Sequence, residues 1–402
     1  MFSLFCFSGN PIITGGTYSK NLLIGYTAVF VLYTFYKINL ILFKKIGILL
    51  IVIGVVLMLA FFQNIKLGFV SYPGILGFIL KLLLGFSVIV YYENLKLDFI
   101  EIYIKTITFL AIISIPFWLL NQFGFYGYQL ESVQRKSLLL YTSLLNIEQR
   151  LLVRNSGMFW EPGAFAGYLL LGLVFIVLKN RKFKLGPYRN NVIIILLTLF
   201  STTSTTGFIV LGMMLLVYSY QNFRWGRLIV IPLIVVIINI AYVSLDFLQE
   251  KIEKQFAAAA EMDEKDTDPS RFGAFKMDLT YIQSQPLTGN GLHVKTRYRF
   301  HPFVKGDIGH GNGMSNFIAC WGIPFFLVWL SCVYLAALKI SHSVFIAICS
   351  TFIIVLLMQG EQYLNYPLFL SFFFIPFLYR NILKNENKQF LIKEYFNLKT
   401  GY

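Results

Sequence analysis

The residues able to do chemistry gather in one stretch, Asp268 to Asn316. It holds three of the four histidines, His293, His301 and His310, and the cations Arg271, Lys276, Lys295, Arg297, Arg299 and Lys305. Imidazole titrates near neutral pH and can take a proton from a hydroxyl. Guanidinium presents a planar fork that suits phosphate oxygens. The combination fits a transfer reaction in which a hydroxyl attacks and an anion leaves. His310 stands above the other histidines. Gly309, Gly311 and Gly313 let a ligand approach the backbone there, and His310 opens an apolar helix, whose first N–H groups attract anions.

A helix is expected from Asp268 (N-cap) and Pro269 (N1) to Pro286, burying Phe272, Phe275, Leu279 and Ile282. Arg271 falls in its first turn, where a cation is mildly unfavourable unless an anion lies nearby. Upstream, Arg154 to Ala164 leads into an apolar segment with Pro162 at N1. Glu161 there is either a capping carboxylate or one that orients a sugar or a catalytic partner, with Arg154 gripping phosphate. The hydroxyl-rich turn Ser201 to Gly207 either caps helix ends or binds a sugar, Ser204 being the candidate. Asp266 and Asp268 form a D-x-D spacing, but a hard-cation site needs more converging oxygens. No metal and no cofactor is therefore expected. Cys6, Cys320, Cys332 and Cys349 sit singly among apolar residues and read as small hydrophobes.

These residues need a frame, and composition says which. Of 402 residues 57% are hydrophobic and 13% charged, with a mean hydropathy of +0.68. The apolar residues come in blocks near the ~20 needed for one crossing. The fold expected is all-α, a polytopic membrane protein of about eleven or twelve transmembrane helices. Candidate spans are 22–41, 46–62, 71–91, 100–120, 158–178, 191–203, 206–220, 228–245, 314–338, 343–360 and 364–380. The 1–16 segment is a further partial or re-entrant helix and lacks the basic start of a cleavable signal peptide. Lys and Arg concentrate in alternate short loops, around Lys44, Lys96, Lys179, Arg224 and Lys339, which makes those loops cytoplasmic. The other loops then face outward.

The organisation follows: 1–120 N-terminal transmembrane helices, 121–157 a first periplasmic loop, 158–245 central helices, 246–313 a large helical periplasmic loop carrying the active site, 314–380 C-terminal helices, and 381–402 a cytoplasmic tail. The net charge of +15 would suggest nucleic acid in a soluble protein. Here it divides between topological lysines and basic outer loops facing an anionic ligand, so no nucleic acid is expected.

In this order, RNSGMFWEPGAFAGYL at 154–169, STTSTTG at 201–207, SR at 270–271, P-x-x-G-x-G at 286–291 and HGN at 310–312 resemble the O-antigen polymerase and ligase superfamily of bacterial membrane glycosyltransferases. The resemblance implies a GT-C-like fold in the inner membrane and inverting, metal-independent transfer from an undecaprenyl-pyrophosphate-linked oligosaccharide. It implies that Arg271 binds pyrophosphate, with Arg154, Arg297 and Arg299 beside it. It implies that His310 is the base near the acceptor, with Glu161 its rival or orienting partner and Ser204 and Asn312 on the sugar. A chain-length regulator and a flippase are the partners it suggests. Thr205 follows Ser204 where ligases often carry arginine, which leans the expectation toward a polymerase that joins repeat units. Neither Arg154 nor Arg271 is followed by glycine at the Arg-x10-Gly spacing of some polymerases. A ligase moving glycan to lipid A core or protein is the alternative, and a lipid-linked sugar transporter is the rival of another class. Transporters pair charges inside their spans; here the spans hold few charges beyond Lys81.

Overall fold

The computed structural model describes residues 1–14, 19–37, 46–125, 128–129, 135–138, 141–144, 154–182, 186–222, 232, 271–301 and 312–379. Several expectations lie outside them: the span at 228–245 (Pro232 apart), the loop from 246 to 270 with its D-x-D, His310, and the tail at 381–402.

The described chain is essentially all-α. Helices α1 (Phe2–Phe7) and α2 (Pro11–Thr14) are short. Longer ones follow: α3 (Ser19–Lys37), α4 (Ile46–Leu67), α5 (Tyr72–Asn94) and α6 (Phe99–Gln122). The central set is α7 (Pro162–Asn180), α8 (Arg189–Thr202) and α9 (Thr205–Asn222). Then come α10 (Arg271–Ser284), α11 (Val294–Arg297), α12 (Gly313–Trp321), α13 (Ile323–Ser341) and α14 (Val344–Met358). Short turns of helix, including α15 (Pro367–Leu370) and α16 (Ile375–Leu378), complete it.

Among the described residues five helices, α4, α5, α6, α7 and α13, are long and apolar enough to cross a membrane, and 21–36 and 344–358 are shorter apolar helices. This is the architecture of a polytopic helical membrane protein. It departs from the expected spans in two places. The predicted span 314–338 is two helices, because Gly322 breaks it with φ of 85°. A side chain there would overlap the Leu287 carbonyl of the approaching loop. The predicted span 364–380 is a run of four short helical pieces from Tyr363 to Leu378, interrupted at Tyr366 and Phe374. The loop after α6 also holds an unexpected three-stranded antiparallel sheet, β1 (Tyr128–Gln129), β2 (Arg135–Leu138) and β3 (Tyr141–Leu144), with Tyr128 opposite Ser137 and Arg135 opposite Leu144.

Helix α7 is the axis of the core. Its residues from Ala164 to Leu178 are all buried, and it packs against α6, α8, α9, α13 and α14. Small residues allow that closeness. A side chain at Gly167 would overlap the Tyr363 hydroxyl, which instead donates to the carbonyls of Gly163 (3.0 Å) and Ala164 (3.2 Å).

The two ends of the bundle differ. One end carries short connections tied by charge. Lys179 Nζ lies 2.9 Å from Asp98 Oδ2 and 2.8 Å from Glu101 Oε2, and the Tyr188 hydroxyl donates to Glu101. Asp98 also caps α6, accepting from Ile100 N at 2.9 Å. Lys339 Nζ donates to the Pro376 carbonyl (2.8 Å), three positions before Tyr379, whose hydroxyl lies 3.3 Å from Asp98, so Lys96, Lys179 and Lys339 belong to one end. The opposite end carries the sheet, the segment 154–161, and α10 to α12; we call it the large-loop end.

Candidate functional site

At the large-loop end, non-helical backbone from distant parts of the chain meets. Arg154 Nε donates to the Thr202 carbonyl (3.1 Å) and Thr203 Oγ1 (2.9 Å), and Nη2 donates to the Thr203 carbonyl (3.1 Å). Thr203 is left-handed, φ 45°, at the C-terminus of α8, where unpaired carbonyls favour a cation. Asn155 adds a second latch through Nδ2 to Ser201 Oγ (2.9 Å) and Ser114 Oγ (3.0 Å). The structure therefore joins the two motifs that the sequence singled out at 154–164 and 201–207.

The C-terminal turn 359–366 closes over this junction. A side chain at Gly360 would crowd Thr206, and one at Gly313 would overlap the Glu361 carbonyl. Trp160 Nε1 donates to Glu361 Oε2 at 3.1 Å. The Trp160 ring stacks on Tyr366, with centroids 4.7 Å apart and planes 26° apart. Gly9, with φ of 124°, lies flat against the same indole. Lys81 Nζ sits 5.8 Å from the centroid of the Tyr366 ring. Two stacked rings thus stand between a carboxylate bonded to the indole and an ammonium near the phenol.

Glu361 was missed by sequence reasoning. Its signal was available: it is the one acidic residue between Asp307 and Glu386, and it is buried, 7% exposed. Glu161 stands beside Trp160 as the N-cap residue of α7, and its side chain makes no capping hydrogen bond. The bland alternative, a carboxylate tied up as a cap, is thus not the arrangement found.

Ser204 and Asn312 are placed as caps. Ser204 Oγ accepts from Gly207 N at 3.2 Å, and its side chain is buried. Asn312 Oδ1 accepts from Ser315 N at 3.1 Å, while its Nδ2 donates to Gln359 Oε1 at 2.9 Å. Both side chains serve helix starts.

Arg297 is likewise held elsewhere than expected. It is 1% exposed and ion-paired with the fully buried Asp278. Asn316 Oδ1 accepts from its Nε (3.1 Å) and Nη2 (2.9 Å), and Ser315 Oγ donates to the other Asp278 oxygen. Tyr281 and Tyr298 cover the guanidinium, with ring centroids 4.9 and 4.7 Å from Cζ. A guanidinium so enclosed binds α10 and α11 to α12 and is not presented to a phosphate. This network also turns α10. Phe275 and Leu279, expected inside, are exposed, whereas Ala274, Met277, Asp278 and Tyr281 are buried. The apolar spacing misled because a buried ion pair, not only apolar area, sets the face.

Arg299 is half-buried with its guanidinium 4.6 Å from the Phe300 ring. His293 caps α11 by accepting from Lys295 N, and lies 4.1 Å from the Phe69 ring. His301 Nδ1 is 2.7 Å from the Tyr281 hydroxyl; burial holds that phenol above its usual pKa, so it meets the imidazole as a neutral group. Arg271 begins α10, but its side chain, like all of His310, lies outside the described residues. His310 precedes the Asn312 cap by two positions in the chain.

No curated protein and no solved structure matches the chain. Residues 191–330, which run from α8 through the hydroxyl turn and α10 to α12 into α13, match a protein family described as O-Antigen ligase.

Proposed function

We propose that this protein transfers a glycan from a lipid-pyrophosphate donor to a hydroxyl acceptor, at the outer face of a bacterial inner membrane. The observation that carries this reading is the match of residues 191–330 to the O-Antigen ligase family. The junction of 154–161, the hydroxyl turn and 359–366 is in keeping with it, since non-helical backbone among membrane-length helices occurs where it is buried in protein or lines a cavity. The basic short loops around Lys96, Lys179 and Lys339 favour an orientation with the large-loop end outside.

The leaving pyrophosphate is a stable anion and needs no proton. It needs fixed positive charge where negative charge develops. Arg271, at the start of α10, supplies it, and Arg154 at the junction adds to the field. The acceptor hydroxyl needs a base. His310, just ahead of the α12 N-terminus, takes its proton, and Glu161, free of a capping bond, orients the imidazole or the sugar. The donor's glycan then passes to the acceptor oxygen with inversion, and the lipid pyrophosphate departs. No metal enters this scheme.

The matched family's description favours ligation onto lipid A core or protein. Thr205, after Ser204 in the hydroxyl turn, favours the second reading, polymerisation of repeat units. The lipopolysaccharide ladder of a deletion strain tests both. Loss of a ligase leaves core without glycan, and loss of a polymerase leaves core with a single repeat. An unchanged ladder contradicts the reaction class.

A further inference from the structure

Lys81 has no place in the chemistry above, and its position is costly. It lies ten residues beyond the Ser71 cap, about 15 Å along α5. At the centre of a bilayer a lysine is costly even on insertion scales. Among the described residues no carboxylate forms an ion pair with it; the contact found is the Tyr366 ring. At 5.8 Å that contact is close to the ~6 Å limit of a cation–π interaction. A single ring near the limit does not offset the cost.

The side chain is not snorkelling toward lipid. Helical spacing puts Lys81 on the face shared by Phe78 and Gly85. Phe78 packs on Trp321 with centroids 4.6 Å apart, and Gly85 lies against the Pro367 backbone. That face looks inward, toward the Trp160–Tyr366 pair. There the half-buried Trp160 and Tyr366 rings stack, and Glu361 fixes the indole. An ammonium beside a stacked aromatic pair is suited to an anion attached to a sugar: charge for the anion, and the Tyr366 ring with the indole edge for the apolar side of the sugar.

We propose that Lys81 and the Trp160–Tyr366 stack form a subsite for the diphosphate-linked end of the lipid donor, the ammonium contacting a phosphate oxygen and the rings the first sugar. This rests on the donor reading above. It adds a cation from the transmembrane frame to those of the loops, and explains why a charge is kept so deep.

The test is binding of undecaprenyl diphosphate to the purified full-length protein in phosphatidylcholine nanodiscs. Undecaprenol, inorganic pyrophosphate and phosphatidylglycerol serve as competitors. Lys81→Met and Lys81→Gln should each weaken binding about tenfold, the worth of one charge-assisted contact, and Lys81→Arg should restore most of it. Undecaprenol should compete equally poorly against every variant. Diphosphate binding unchanged in both Lys81→Met and Lys81→Gln overturns the subsite. Competition by phosphatidylglycerol as strong as by undecaprenyl diphosphate overturns the diphosphate assignment in favour of anionic lipid in general. Wild-type protein that binds no undecaprenyl diphosphate overturns the donor reading itself.

Discussion

The indole nitrogen of Trp160 donates to the carboxylate of Glu361 at 3.1 Å, across 201 positions of chain. One partner precedes the central helix α7, and the other follows α14. This bond ties the entry of the core helix to the C-terminal turn that covers it. Glu361→Gln keeps an acceptor for the indole, while Glu361→Ala removes it. If the carboxylate acts on substrate, both variants lose glycan transfer by at least roughly tenfold, with the folded fraction of Glu361→Gln unchanged. Transfer assays beside thermal unfolding in detergent separate this from a purely structural bond, for which Glu361→Gln transfers normally.

Asp278 and Arg297 make a different kind of prediction. Removing one member strands a buried charge, so Arg297→Ala or Asp278→Ala should each destabilise by about 3–5 kcal/mol. A paired replacement, Asp278→Leu with Arg297→Met, should recover much of that. Thermal unfolding checks the cycle. Were Arg297 a phosphate ligand, Arg297→Ala would fold normally and fail only in donor binding.

Gly313 and Gly167 are tested by one methyl group each. Gly313→Ala pushes against the Glu361 backbone and Gly167→Ala against the Tyr363 hydroxyl. Backbone yields less readily than a side chain, so Gly313→Ala should be the more damaging. Overpacking of this kind costs typically 1–3 kcal/mol. Expression level and unfolding temperature of the two variants read the order directly, and the reverse order contradicts the packing described.

Much of the frame was legible in the chain. The spans at 71–91 and 100–120 became α5 and α6 nearly to the residue, because long apolar runs with few charges leave one choice. The junction of Arg154 with the Ser201–Gly207 turn was visible only as two separate motifs; nothing in either says that they touch. The break at Gly322 was hidden because hydropathy averages across one residue. What forces it is the distant Leu287 carbonyl, a tertiary contact. The strands between Tyr128 and Leu144 lie in a stretch read simply as a polar loop. The face of α10 was misread for a physical reason: Asp278 is buried with Arg297, and no periodicity of apolar residues records that. Glu361 carries no motif of its own, although a lone acid in an apolar region is itself a signal.

Arg271 and His310 carry the chemical prediction. Arg271→Ala and His310→Ala should each abolish transfer while the protein still inserts and accumulates normally. Arg271→Lys should recover little, since an ammonium lacks the fork. The activity of wild type should rise with pH through the imidazole range near 6.5, because the base must be neutral to accept a proton. A pH profile flat across that range in wild type would assign the base elsewhere, Glu161 or Glu361 first.

The most direct measurement uses purified protein in proteoliposomes, supplied with an undecaprenyl-pyrophosphate-linked glycan and a sugar-hydroxyl acceptor. The prediction is release of undecaprenyl pyrophosphate in step with glycan appearing on the acceptor, undiminished by EDTA. Donor that crosses the bilayer intact, with its glycan still attached and no pyrophosphate released, would contradict glycan transfer.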